Sequence, residues 1–286
     1  MVIDSIRPKP LPPEQQLHLT KRYQRVVGLI NWMATCTRPD LSPSVSFLAT
    51  YNHSPTKQHL DSAMYVVRYI RNTIGYGISF SSKSTTTLKT FLHIPLPHDA
   101  EAYSDARRPY DHETHELSAF SDANWDPQDA SAPDPFETKQ VHPKHMRSMS
   151  GYIIFCSGGP ISWSCVRQEQ TARSSSEAEI KATDELVKRI LAIKNVMQDL
   201  SLADANKCTK VWNDNRNCVD WGSGLIPKAI RHVNIRDSAI RDSIRLKEIK
   251  LQHIDGKLNP ADLFTKEIRD ISHFLALRDL VVRARS

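Results

Sequence analysis

Residues 151–200 read GYIIFCSGGPISWSCVRQEQTARSSSEAEIKATDELVKRILAIKNVMQDL, and the two periodicities in this stretch decide the fold. Gly151 to Cys156 is a short apolar run, Ser157-Gly158-Gly159-Pro160 is turn chemistry, and Ile161 to Val166 follows, which together predict a β-hairpin. From Ser175 to about Leu200 the apolar residues recur at helical spacing. At about 100° per residue, Glu179 falls within roughly 20° of Leu186, Ile190 and Met197, while Glu177 shares its face with Lys181, Asp184, Lys188 and Asn195. Glu179 is therefore a carboxylate on the apolar, sheet-facing side, where an unpaired charge is costly and calls for a cation. Glu177 reads as a solvated surface acid.

Working outward, Leu117 to Trp125 is a short strand candidate upstream of the hairpin. Downstream come a strand at Thr209 to Asn213, a short helix around Cys218 to Trp221, a helix from about Asn234 to Arg245, a strand at Ile249 to His253 and a last helix from Asn259. Three antiparallel strands and a helix, followed by strand, helix, strand, helix, make an α/β fold with helices packed on a mixed sheet. We assign this domain to residues 117–275, with a proline-rich loop insertion at 126–147 and a tail at 276–286. Residues 1–13 form an extended lead-in, 14–80 a small helical segment, and 81–116 a polar linker. In the helical segment Tyr23, Val26, Val27, Ile30 and Met33/Ala34 form one apolar face, and Ala63, Val66, Val67 and Ile70 another. Ser54 reads as the cap and Pro55 as the first residue of the second of these helices.

The chain has 286 residues, 40% of them hydrophobic, and a formal charge of +6, a mild basic bias compatible with a nucleic-acid partner. No apolar run reaches 18 residues, and the amino terminus lacks the basic-then-apolar order of a signal peptide, so no membrane association is expected. The reading is intracellular, cytoplasm or nucleus. Cys36, Cys156, Cys165, Cys208 and Cys218 contain no C-x-x-C pair and indicate neither a disulfide framework nor a zinc ribbon.

Three further acids stand where Glu179 could meet them. Asp122 shares a strand face with Ser118 and Phe120, against the alternative of a turn-forming aspartate. Asp105 lies in a similar run, Ala102-Tyr103-Ser104-Asp105-Ala106, but Pro109 follows closely, which is poorly suited to a central strand. Asp214 follows the strand Val211-Trp212-Asn213 at the end where open α/β sheets carry their functional groups; its alternative is a helix cap. Asp262 is either a member of the same site or an ordinary first-turn acid after the cap Asn259 and Pro260. Carboxylates in this number need a counter-charge, and a pair of Mg²⁺ ions about 3.5–4 Å apart, with Mn²⁺ as a substitute, is the standard arrangement for phosphodiester hydrolysis. His253, at a strand end before the loop Asp255-Gly256-Lys257, reads either as a proton shuttle or as a satisfied strand-end histidine.

The runs Tyr23-Gln24-Arg25-Val26-Val27-Gly28-Leu29, Thr37-Arg38-Pro39-Asp40-Leu41, Ser121-Asp122-Ala123-Asn124-Trp125, Arg147-Ser148-Met149-Ser150-Gly151-Tyr152, Ser174-Ser175-Ser176-Glu177-Ala178-Glu179 and Asn259-Pro260-Ala261-Asp262-Leu263-Phe264-Thr265-Lys266 occur in that order. As an ordered set the chain resembles the C-terminal part of a copia-type retrotransposon polyprotein, the end of reverse transcriptase followed by its ribonuclease H domain. The resemblance implies a ribonuclease H-like fold with metal-binding acids at Asp122, Glu179, Asp214 and Asp262, and an RNA–DNA hybrid as substrate. It also implies a helical segment like the one that follows the polymerase palm, the polymerase portion of the same polyprotein as partner, and phosphate contacts from Arg231, His232 and Arg236. The Tyr-x-Asp-Asp motif is absent, so no polymerase activity is expected. The competing class is a decayed, inactive fragment that at most binds nucleic acid.

Overall fold

The computed structural model describes residues 11–80, 116–124, 147–224, 238–266 and 268–284. The helical segment has three helices, α1 (Pro13–Cys36), α2 (Ser42–Ala49) and α3 (Lys57–Asn72), with a 3-10 turn at Pro39–Leu41. Tyr23, Val27, Ile30 and Ala34 of α1 are buried, four positions on the predicted stripe, and the Tyr23 hydroxyl donates to the Leu48 carbonyl at 2.7 Å. The cap of α3 lies two residues later than the sequence suggests. Thr56 Oγ1 accepts from the His59 amide while the Thr56 amide donates to His59 Nδ1, a reciprocal pair that leaves Pro55 outside the helix.

After β1 (Tyr76–Gly77) the α/β region contains β2 (Ser118–Asn124), β3 (Met149–Cys156), β4 (Gly159–Arg167), α4 (Ser175–Asp199), β5 (Thr209–Asn213), α5 (Arg216–Gly222), α6 (Ser238–Arg245), β6 (Ile249–His253), α7 (Ile271–Val281) and β7 (Arg283–Ala284). Five strands form one sheet in the order β4-β3-β2-β5-β6. β3 pairs antiparallel with both β2 and β4, and β5 and β6 run parallel to β2. This is the mixed sheet expected from sequence. The hairpin turn is shorter than Ser157–Pro160: Cys156 already pairs with Gly159, and only Ser157 and Gly158, at φ 47° and 66°, make the turn.

The period of two along each strand splits the core into two layers. Ala119, Tyr152, Ile154 and Val211 face α4 with Ile180, Leu186 and Ile190. Phe120, Ile153, Phe155 and Trp212 face the other way, onto Leu263, Phe264, Leu277 and Leu280. Phe120 stacks on Trp212 at 4.9 Å between ring centroids, so the two parallel strands are packed as well as hydrogen-bonded next to the site.

Two boundaries differ from the sequence reading. The element from Asn259 is not a continuing helix but a 3-10 turn, Pro260–Phe264, and the last α-helix starts only at Ile271 with Asp270 as its cap. Residues 276–284 are not a tail either: Leu277, Leu280, Val281 and Val282 are buried in the second layer, and β7 pairs antiparallel with β1. The segments read as linker, 81–116, and as loop insertion, 126–147, lie outside the described residues except for Glu116 and Arg147, as does most of the stretch before α6.

Candidate metal centre

Four separate elements bring the predicted acids to one end of the sheet. Asp122 sits near the C-terminal end of β2, Asp214 directly follows β5, Glu179 projects from the first turns of α4, and Asp262 comes from the 3-10 turn after β6. Asp122, Glu179 and Asp214 each offer a carboxylate oxygen, and these oxygens lie within 4.8 Å of one another. Asp262 joins them through Lys266, whose Nζ stands 2.9 Å from Asp262 Oδ1, 3.1 Å from Asp122 Oδ1 and 3.8 Å from Asp214 Oδ2. Asp122 is fully buried, and Glu179 and Asp262 nearly so.

Each element is fitted locally to hold its acid. Ser174 caps α4 by accepting from the Glu177 amide, which fixes the first turn that carries Glu179. Glu177 points away and pairs with Lys181 at 2.8 Å, in keeping with its predicted face. Asn259 accepts from the Ala261 amide and donates to the Ser121 carbonyl at 3.0 Å, clamping the Asp262 turn onto β2 beside Asp122. Thr265 Oγ1 donates to Asp122 Oδ2.

Gly151 explains part of the quoted Arg-Ser-Met-Ser-Gly-Tyr run. A Cβ there would meet Phe264 Cβ and Thr265 Cγ2 at 2.7 Å and the Ala261 carbonyl oxygen at 3.1 Å. Only a residue without a side chain lets the Asp262 turn lie this close to β3. Gly151→Ala is accordingly expected to destabilise the fold by about 1–3 kcal/mol through overpacking, read as a lower urea midpoint at unchanged slope. An unchanged midpoint would show that the turn shifts freely.

The electrostatics are those of a pocket short of positive charge. Burial first, then the Asp122 charge, holds Glu179 well above the usual carboxylate range, and its bond from Asn213 only partly offsets this. Burial and Asp122 also raise Asp214, and they push Asp262 up to about 7 against the pull of Lys266. Burial alone would lower the Lys266 ammonium, but Asp122 and Asp262 outweigh it and raise it. One ammonium among four carboxylates leaves a net negative, all-oxygen donor set, which suits a hard divalent cation such as Mg²⁺ or Mn²⁺.

His253 is exposed at the end of β6, with Nε2 3.1 Å from the Asp214 carbonyl oxygen, so it borders the cluster without entering it. Arg231, His232 and Arg236 lie outside the described residues. Sequence reasoning assigned no role to two residues that belong here, Lys266 and Asn213. Lys266 had a signal, since it stands four residues after Asp262 in a helical start. Asn213 had none, because a strand-end asparagine reads as turn chemistry.

Among the described residues no helix is long and apolar enough to cross a membrane. No family model matches the chain. It is 26% identical over 247 residues to the retrovirus-related Pol polyprotein from transposon TNT 1-94 of Nicotiana tabacum, a match covering 86% of this chain and 15% of that protein. It is 24% identical over 268 residues to the corresponding polyprotein from transposon RE1 of Arabidopsis thaliana, covering 91% and 15% respectively. The chain therefore spans only about 15% of the length of these curated relatives. Among solved structures it is similar to LC11-RNase H1 isolated from compost, at 14% identity and TM-score 0.35, over 53% of this chain and 94% of that one. A second structure of LC11-RNase H1, in complex with RNA/DNA hybrid, gives 14% identity and TM-score 0.34 over 55% and 99%. The relatives that align with about nine-tenths of this chain are retrovirus-related Pol polyproteins from transposons.

Proposed function

We propose that the chain is a metal-dependent endonuclease of the ribonuclease H type, hydrolysing the RNA strand of RNA–DNA hybrids as part of a retroelement polyprotein. The observation that carries the reading is the convergence of Asp122, Glu179 and Asp214 within 4.8 Å, from three different elements, with Asp262 joined to them through Lys266. Buried like charges are expensive to assemble, and a fold retains them together where a cation is to be held. Asp122, Glu179, Asp214 and Asp262 would hold the divalent ions, which when bound supply an activated water and stabilise the leaving oxygen.

The chain's own groups complete the site. Lys266 Nζ keeps positive charge beside three of the acids, and its ammonium suits the approach of a phosphodiester to an otherwise negative pocket. His253, exposed beside Asp214, is positioned to pass a proton to bulk water or to the departing oxygen. Selectivity for a hybrid would come from the minor groove, where 2′-hydroxyls distinguish RNA from DNA.

The test uses the full 286-residue chain. A labelled RNA–DNA hybrid, single-stranded RNA and duplex DNA are incubated with Mg²⁺, with and without EDTA, beside Asp214→Asn. Cutting of the hybrid RNA alone, lost in EDTA and in the variant, is the expected result. Binding without cutting would instead identify an inactive fragment, and cutting of duplex DNA a nuclease of different substrate.

A further inference from the structure

Directly beneath the carboxylates lies Asn213, the last residue of β5, whose side chain is wholly inaccessible to solvent. Its Nδ2 stands 2.9 Å from Glu179 Oε2, 3.1 Å from Ser121 Oγ, 3.3 Å from the Ser121 carbonyl and 3.5 Å from Thr183 Oγ1. Its Oδ1 accepts from the Asn215 amide at 2.8 Å. Glu179, Ser121 and Asn215 belong to three chain segments, and each either is one of the acids or adjoins one.

The amide orientation is fixed by chemistry. Asn215 N–H can only donate, so it must face Asn213 Oδ1, which turns Nδ2 toward Glu179 Oε2. Turning the carboxamide over would set oxygen against carboxylate and N–H against N–H. The Nδ2 group has two hydrogens for four nearby acceptors, and the shortest contact goes to the charged one, as expected for a charge-assisted bond. Neither a hydroxyl nor an apolar side chain could both donate to Glu179 and accept from Asn215 at this spacing.

We infer that Asn213 is the positioning residue of the metal centre: it aims the Glu179 carboxylate into the pocket and holds the segments of Asp122 and Asp214 in register with it. The inference rests on the reading of these acids as metal ligands. A residue that donates to a ligand from behind sets the ligand's orientation, and loss of such a group typically weakens metal affinity by about 10–100-fold. Thr183 gives the contrast. It is equally buried and shares the network, through Ser121 Oγ at 3.0 Å and Cys218 Sγ at 3.6 Å, but among the described residues no hydrogen bond joins it to an acid.

The experiment titrates Mn²⁺ alone into the full chain and reads the free ion by electron paramagnetic resonance, with no substrate present. Wild type, Asn213→Leu and Thr183→Val are compared, and thermal unfolding in EDTA reports each fold. The expected result is a Kd for Mn²⁺ raised at least tenfold in Asn213→Leu and changed less than about twofold in Thr183→Val. Asn213→Ser, too short to reach Glu179, carries the same expectation should the leucine variant not fold. Unaltered Mn²⁺ affinity in the folded Asn213 variants would overturn the inference, as would an equal loss in Thr183→Val, which would mark a general loosening of the core. A wild-type chain that binds no Mn²⁺ would overturn the metal-site reading itself, whereas one that binds Mn²⁺ but cuts no hybrid would leave Asn213 testable.

Discussion

Asp122→Asn is expected to lower Mg²⁺-dependent cleavage of an RNA–DNA hybrid by about 10³-fold or more, which corresponds to roughly 4 kcal/mol of transition-state stabilisation, while leaving the chain folded. Asp122 is the acid most enclosed by the others: its charge contributes to the raised pKa of Glu179, Asp214 and Asp262 alike. Replacing it with a neutral isostere removes the carboxylate charge and relieves repulsion on all three. The fold has little to lose, because Lys266 keeps Asp262 at 2.9 Å and Asp214 at 3.8 Å. Thermal unfolding in EDTA should therefore give a midpoint at or above that of the wild type. Loss of cleavage without loss of stability separates a functional carboxylate from a structural one. A variant that cuts normally, or one whose loss merely follows unfolding, would contradict the assignment.

The parts of this molecule legible from sequence are those where one physical rule acts alone. Glu179 could be assigned because helical periodicity places it with Leu186, Ile190 and Met197, and all four are buried. Strand alternation did the same for Phe120 and Asp122. Failures occurred where local signals are shared by two structures. Asn259-Pro260 starts an α-helix and a 3-10 turn equally well, and the turn observed lies against Gly151, a contact remote in the chain. At the C-terminus the signal was present: Leu277, Leu280 and Val281 have the three-and-four spacing of a helix face. The network around Asn213 was out of reach, since a buried amide has no periodic signature and its meaning comes from partners on β2 and α4.

Arg38→Met is expected to destabilise the chain by about 3–5 kcal/mol, more than any single core truncation of similar size in the helical segment, because it strands a buried charge. Arg38 Nε and Nη2 clasp both oxygens of Asp40 at 2.9 and 2.8 Å, and Nη1 and Nη2 reach the Thr73 carbonyl and hydroxyl at 3.0 and 2.8 Å. Asp40 has no exposed side-chain surface, and once the guanidinium is gone its remaining side-chain hydrogen bond among the described residues comes from the Tyr69 hydroxyl at 2.9 Å. Arg38→Met with Asp40→Leu should recover most of the loss, since removing both charges leaves no uncompensated ion. Urea unfolding of the two variants checks the sign of that coupling, and equal losses in the single and double variants would refute it. The network matters beyond the helices because Thr73 leads into β1, which pairs with β7, and Arg278 of α7 lies 4.7 Å over the Tyr76 ring. Trp163 of the edge strand β4 donates to the Ala34 carbonyl at 2.8 Å across the same junction. The helical segment thus covers the β4 edge of the sheet and adjoins its second core layer, so a chain cut to residues 116–286 would lose a strand pairing and expose Trp163. Such a fragment should unfold at a lower temperature than the full chain, and catalytic tests of these carboxylates accordingly require the helices to be present.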